Sequence, residues 1–367
     1  MKYKLCILTP LHIGTGKTIF PIEYLLENKF YRIDMTGLFR DPHFDNNKFI
    51  QQSMKGPLYL GDFAPEPARR HIRYELKVSS HCRNMLLSRK DKIREFVKSN
   101  DLPYIPGSSL KGALRTVVLW SRLKNPSGKI DKAIRRLTFN KKNPRGVDDR
   151  LERLVFGKDP KYDIFKALHI GDTFPKDIED LEVYEVRTLT TTRDGHNWKR
   201  FTTFIEGLQP KVKYEGSLKI DEWLFTSPNW GFMDKQKFIK NLPYYCNQFA
   251  ESLIRREKEF YQKYNNPSEL EEIIDEYNLL EDELKRCGKN EFLLHLAWGT
   301  GWHSMTIGRI LQQYPNFDFL KLREMYALGK RKNKPYFLGE FPKTRKIIFE
   351  DGKPKYPLGW TKIKWEE

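Results

Sequence analysis

Pro106-Gly107-Ser108-Ser109-Leu110-Lys111-Gly112-Ala113-Leu114-Arg115 is a turn that opens into a helix. The proline, glycine and serines supply the turn and N-cap, after which Leu110, Ala113, Leu114, Val117, Val118 and Ser121 recur at helical spacing. The spacing predicts an amphipathic helix whose apolar stripe faces a sheet, with Lys111, Arg115 and Arg122 on the other side. At its start, unpaired N–H groups and a positive dipole end stand beside two hydroxyls and a lysine, which suits an RNA backbone. An ordinary capped helix with solvated Lys111 and Arg115 has the same pattern.

Upstream, Tyr3, Leu5 and Ile7 alternate with Lys2, Lys4 and Cys6, a strand running into the glycine-bearing loop Thr9 to Thr18. Gly14-Thr15-Gly16-Lys17-Thr18 ends like a P-loop, but Leu11 stands where the first glycine is required, so the nucleotide-binding reading fails. The loop can still offer N–H groups and Lys17 to a phosphate, or be a tight structural turn. His12 beside it can act as a general base on a ribose hydroxyl, or serve as a contact or packing group. Phe30 to Ile33 reads as a second strand, followed to Ser80 by loop and short helix.

Downstream, Arg122 to Arg145 holds nine Lys/Arg and one acid, Asp131. Leu181 to Leu189 and Phe201 to Leu208 read as a long hairpin with a basic, aromatic tip at Thr190 to Arg200, and Lys211 to Ile220 as a half-buried strand. Residues 241–290 hold eleven acids against seven Lys/Arg, an acidic helical hairpin inserted in a basic chain. Gly299-Thr300-Gly301 repeats the first glycine loop, Lys330 to Lys334 is lysine-rich, and Leu358 to Trp365 is a last aromatic strand.

The 367 residues carry 66 Lys+Arg against 48 Asp+Glu, a formal charge of +18 that favours polyanionic partners. With 14% aromatic residues the chain is too apolar for a disordered basic tail. No run approaches a membrane span and the amino terminus lacks a signal-peptide pattern, so we expect a cytoplasmic protein. Four dispersed cysteines without a C-x-x-C pair argue against a zinc ribbon or disulfide framework. No H-E-x-x-H, D-x-D or G-x-S-x-G motif is present. Basic segments interleaved with Trp198, Trp302 and Tyr336 fit a groove for single-stranded RNA.

Leu8-Thr9-Pro10-Leu11-His12-Ile13-Gly14-Thr15-Gly16, the Ile105 to Arg115 block, Leu154-Val155-Phe156-Gly157, Ile170-Gly171-Asp172 and Trp298-Gly299-Thr300-Gly301-Trp302 follow one another in an order that resembles the RAMP superfamily of CRISPR-associated RNA-binding proteins. The length, the opening block and the Gly299 to Gly308 run look most like the Csm-type subunits of type III-A effector complexes at the guide-RNA 3′ end. The resemblance implies an α+β fold of two tandem ferredoxin-like (RRM-like) domains, residues 1–208 and 209–367. The first would carry a β-hairpin thumb at about 187–204 that intercalates at the guide, the second the helical insertion at 241–290. It implies a crRNA-binding subunit that caps the backbone filament and supports 3′-end maturation, with crRNA, the backbone RAMP filament, the small subunit and host 3′ exonucleases as partners. Expected RNA contacts are His12, Gly14, Thr15, Gly16, Lys17, Gly107, Ser108, Ser109, Lys111, Arg115, Arg187, Arg193, Trp198, Gly299, Gly301 and Trp302. Related filament subunits cut RNA with an aspartate soon after the first strand. Between Gly16 and Arg32 the only acids here are Glu23 and Glu27, so we expect no catalytic residue, metal or cofactor. The competing expectation is a metal-independent pre-crRNA-processing endoribonuclease that uses His12 with Lys17.

Overall fold

The computed structural model describes every residue except 138–141, 143–145, 228–229, 231, 330–338 and 367, together with the backbone but not the side chains of 146–148. Lys2–Ile7 is a strand, as its alternation demands: Tyr3, Leu5 and Ile7 are buried and Lys2 and Lys4 exposed. It lies in the middle of an antiparallel five-stranded sheet, between Lys213–Ile220 and Trp360–Glu366, with Leu168–Thr173 and Glu291–His295 at the edges. The helix Gly107–Lys124 connects Lys2–Ile7 to Leu168–Thr173, and Leu242–Tyr264 follows Lys213–Ile220 on the way to Trp360–Glu366. Each connection joins parallel strands with one strand between them, so these four strands and two helices have a β-α-β-β-α-β arrangement. Glu291–His295 is an added edge. The two helices pack together through Trp120 and Phe249, whose ring centroids are 5.1 Å apart. Of the stripe predicted for the first helix, Leu110, Leu114, Val117 and Val118 are buried and Ala113 and Ser121 half-buried, and Leu123 is buried with them.

A second, mixed sheet runs Gly14–Ile19, Ile93–Phe96, His196–Leu208, Leu181–Thr191, Ile72–Val78, Phe30–Ile33 and Tyr24–Leu26, with Thr344–Glu350 and Lys353–Pro357 added beside Leu181–Thr191. The stretch read as loop and short helix also holds four helices, Met35–Arg40, Asn46–Ser53, Leu60–Phe63 and Pro65–Arg69, around Leu38, Phe49 and Leu60. The chain is α+β. Its expected halves share both sheets: Lys2–Ile7 pairs with Trp360–Glu366, and Leu181–Thr191 with Thr344–Glu350. Hydrogen bonding thus crosses the expected boundary at residue 208, because the carboxy-terminal strand returns to the opening one.

The long hairpin is present as Leu181–Thr191 and His196–Leu208. The acidic helical hairpin is present as Leu242–Tyr264 and Glu271–Lys285, but its first helix is the second core helix, packed on Gly107–Lys124, and not an insertion. The hairpin tip requires a correction. It is docked on the turn between those helices: buried His196 contacts the Tyr264 carbonyl through Nδ1 at 2.7 Å and Glu269 through Nε2 at 2.8 Å. A Cβ on Gly195 would stand 2.1 Å from the Asn266 carbonyl oxygen. Both ring nitrogens of His196 are satisfied by these partners, so the tip is not a freely projecting thumb. What projects is a bulge below it, where the register shifts past Lys199, Arg200 and Phe201 and leaves Phe201 exposed.

Candidate nucleic-acid interface

Both glycine loops lie at the end of the first sheet where Lys2–Ile7 terminates. Gly14 pairs with Phe96 and Thr18 with Arg94, so Thr15, Gly16 and Lys17 bulge from the edge. Gly16 has φ +85° with open space beside it, and all three residues are exposed. The Thr15 hydroxyl donates to Glu95 at 3.1 Å and accepts from the Lys17 N–H at 3.0 Å. The second loop sits alongside, since the Trp298 N–H donates to the His12 carbonyl at 3.2 Å. Gly299 and Gly301 take φ of +94° and +86°, and a Cβ at Gly299 would press on Leu358 at 3.0 Å.

His12 holds this junction from inside. Its ring is wedged edge-on against Phe96 and Trp298, Nδ1 lies 2.7 Å from the Glu206 carbonyl, and the residue is 2% exposed. His12 is therefore neither an RNA contact nor a base paired with Lys17, which stands on the exposed bulge. Burial pushes its imidazole down to about 4 from 6.5, with the charges of Arg94 and Lys98 adding to the shift and the Glu206 hydrogen bond opposing it. The unfolded chain thus takes up a proton below pH 6.5 that the folded chain refuses until about pH 4, so this stability is lost as pH falls. Acidification from about pH 7 to about pH 5.5 should cost about 1 kcal/mol through His12. The drop in urea midpoint should shrink in His12→Asn; equal drops in the two proteins contradict the assignment.

Trp298 also joins the outer face of the second sheet. Residues opposite one another across strands share a face, so Thr18, Arg94, Ile205 and Tyr184 form one row, Thr203, Val186 and Ile348 the next, and Thr188 and Lys346 a third. Tyr184, Val186, Ile205 and Ile348 make a small apolar cluster against which Trp298 packs. The Arg94 guanidinium carbon lies 5.0 Å and the Lys346 amine 5.2 Å from the Trp298 ring centroid. Among the described residues neither cation has a carboxylate within ion-pair distance. Sequence reasoning missed Arg94 and Lys346. The available signal was a lysine at the surface-facing step of the apolar run Lys346-Ile347-Ile348-Phe349.

Several expected contacts are used inside the protein. The helix starts at Gly107 with Pro106 as N-cap and no side-chain cap; the Gly107 N–H donates instead to Asp172 at 2.8 Å. A carboxylate thus occupies the dipole end proposed for RNA, while Ser108 stays exposed and Ser109 half-buried. Lys111 donates to the Leu168 carbonyl at 2.7 Å, and burial pushes its amine down. Arg115 donates to Asp163 at 2.6 Å and Glu152 at 3.1 Å and covers the Phe156 ring at 3.9 Å. Arg187 is held by Glu185 and lies over Phe349; Trp198 donates to Glu269 and meets Phe349 edge-on. Trp302 packs on His303, Phe319 and Phe341. Arg193 is exposed in the hairpin turn. The Lys330 to Lys334 segment and Tyr336 lie outside the described residues, as does part of the basic Arg122 to Arg145 segment.

Arg115→Ala should therefore cost about 1–2 kcal/mol of stability while RNA affinity per folded molecule is unchanged. Thermal melts alongside RNA titrations check this, and a variant that melts normally but binds RNA weakly contradicts it.

The chain is basic and α+β with two apposed glycine loops, and its residues 4–302 match the RAMP superfamily. The chain belongs to that family. It is 25% identical over 99% of its length, and 88% of the relative's, to the CRISPR system Cms protein Csm5 of Methanocaldococcus jannaschii. A Csm5 protein of Streptococcus thermophilus is 25% identical over 60% of this chain and 64% of that protein. Among solved structures, a chain of a Csm-crRNA-target RNA ternary complex of a type III-A CRISPR-Cas system superposes with TM-score 0.77 at 26% identity, covering 99% of this chain and all of the other. The crystal structure of T. onnurineus Csm5 shares the fold with TM-score 0.67 at 24% identity, covering 98% of this chain and 99% of that one. No helix among the described residues is long and apolar enough to cross a membrane.

Proposed function

We propose that this chain is the crRNA-binding Csm5-type subunit of a type III-A effector complex in antiviral defense, that it closes the backbone filament at the crRNA 3′ end, and that it acts without a catalytic centre of its own. The observation that carries the reading is the junction of the two glycine loops around Trp298, flanked by unneutralised Arg94 and Lys346. With exposed Lys17 beside them these cations can hold phosphates without reading sequence. The full-length match to a chain of the crRNA-bound complex supports crRNA and other Csm subunits, filament and small subunit alike, as partners. The β-α-β-β-α-β core supports a ferredoxin-like unit, with Lys2–Ile7 and Leu168–Thr173 from the first expected domain and Lys213–Ile220 and Trp360–Glu366 from the second. In this reading the protein works in the cytoplasm, and host exonucleases trim the guide end that it leaves exposed.

Binding of the purified chain to single-stranded RNA should fall roughly a hundredfold between about 50 and about 200 mM salt, as expected for a handful of phosphate contacts. The RNA should stay intact with or without divalent ions. Salt-independent binding, or cleavage that survives purification, contradicts the reading.

A further inference from the structure

We propose that Arg94 and Lys346, held over the Trp298 ring, form a phosphate-binding clamp for the guide strand at the junction of the two glycine loops. The inference deepens, and rests on, the crRNA-binding reading. Two cations meet one indole here, and among the described residues neither has a carboxylate within ion-pair distance. Here the ion pairs of the fold lie elsewhere, and the nearest acid in sequence, Glu95, accepts from Thr15. Arg94 is exposed, whereas Lys346 is half-buried. Burial and the neighbouring Arg94 push the Lys346 amine down, so the free protein pays to keep both groups charged. A phosphodiester between them would remove the repulsion and supply the missing counter-charge, as charge-assisted hydrogen bonds do at phosphate sites.

The surroundings favour a nucleic-acid strand over an acidic peptide. On one side stands the bulge Thr15 to Lys17, with open space at Gly16. On the sheet face, half-buried Thr18 shares the row of Arg94 and half-buried Thr203 lies one row on, so hydroxyls flank the cation. Arg345 and Lys346 divide the labour of one strand: successive side chains point to opposite faces, Arg345 into a buried pair and Lys346 to the clamp.

The test uses the full chain with a fluorescent single-stranded RNA, measured over a salt series, for wild type, Arg94→Gln, Lys346→Gln and the double variant, with thermal melts in parallel. Each single change should weaken binding about tenfold and the double change about 30- to 100-fold, and the salt slope should fall by about one per lost phosphate contact. Because the substitutions remove a repulsion, melting temperatures should hold or rise, and Lys346→Arg should restore binding. If wild type does not bind RNA, the functional reading fails and the clamp with it. If wild type binds and the double variant binds equally well with the same slope, the clamp is overturned while that reading stands. A double variant that keeps RNA affinity but no longer assembles with the effector subunits would place an acidic protein surface on these cations and overturn the proposal. Loss of binding accompanied by unfolding, with Lys346→Arg failing to rescue binding in a folded protein, also counts against it.

Discussion

Arg345→Ala should destabilise the protein by about 3–5 kcal/mol, the cost of stranding one member of a buried ion pair. Arg345 donates to Glu257 through Nε at 2.5 Å and Nη2 at 3.0 Å, and both side chains are 8% exposed. Its guanidinium also covers the Phe260 ring at 3.9 Å and reaches the Pro342 carbonyl at 2.8 Å. Truncation leaves the Glu257 carboxylate in an apolar setting without its counter-charge. Replacing both residues by Met should recover most of the loss, since the penalty lies in the unpaired charge and not in the missing pair. Urea unfolding of the three variants checks this; an Arg345→Ala protein within about 1 kcal/mol of wild type contradicts it.

Gly107→Ala should cost about 2–3 kcal/mol, within the range for overpacking a close contact. An added Cβ would stand 2.2 Å from the Ile170 carbonyl oxygen and 2.8 Å from the Gly171 backbone. Backbone cannot swing aside as a flexible side chain can, so the helix must lift from the edge strand, weakening the bond from the Gly107 N–H to Asp172. The same substitution at Gly112, which has open space around its Cβ position, should be neutral or stabilising. Equal melting temperatures for the two variants would count against this role for Gly107.

Both results separate what was legible in the sequence from what was not. Period-two alternation was enough to find Lys2–Ile7 and Lys213–Ile220, an aromatic run marked Trp360–Glu366, and helical spacing found Gly107–Lys124, because burial of one face is a local pattern. The two glycine loops were legible as a repeated Gly-Thr-Gly, though not their apposition through His12 and Trp298. The misplaced contacts share a cause: their partners are remote. Arg115 meets acids 48 and 37 residues away, and Trp198 meets Glu269 at a separation of 71, so solvated cations and a free hairpin tip were the natural local readings. Lys346 went unnoticed for the opposite reason. It sits in a short strand, Thr344–Glu350, whose place beside Leu181–Thr191 is set by pairing across the chain.

The central claim, that this chain holds the guide RNA near its 3′ end through the glycine-loop junction, is tested most directly by photocrosslinking in a reconstituted effector complex. A guide carrying a single 4-thiouridine, placed in turn near its 5′ end, middle and 3′ end, would be irradiated and the crosslinked peptides of this chain identified. The account predicts crosslinks from the 3′ position alone, in peptides containing Gly14 to Lys17, Arg94, Trp298 to Gly301 or Lys346. Crosslinks from the 5′ position, or 3′ crosslinks confined to the Gly107–Lys124 helix and the Thr192 to Gly195 turn, would contradict it.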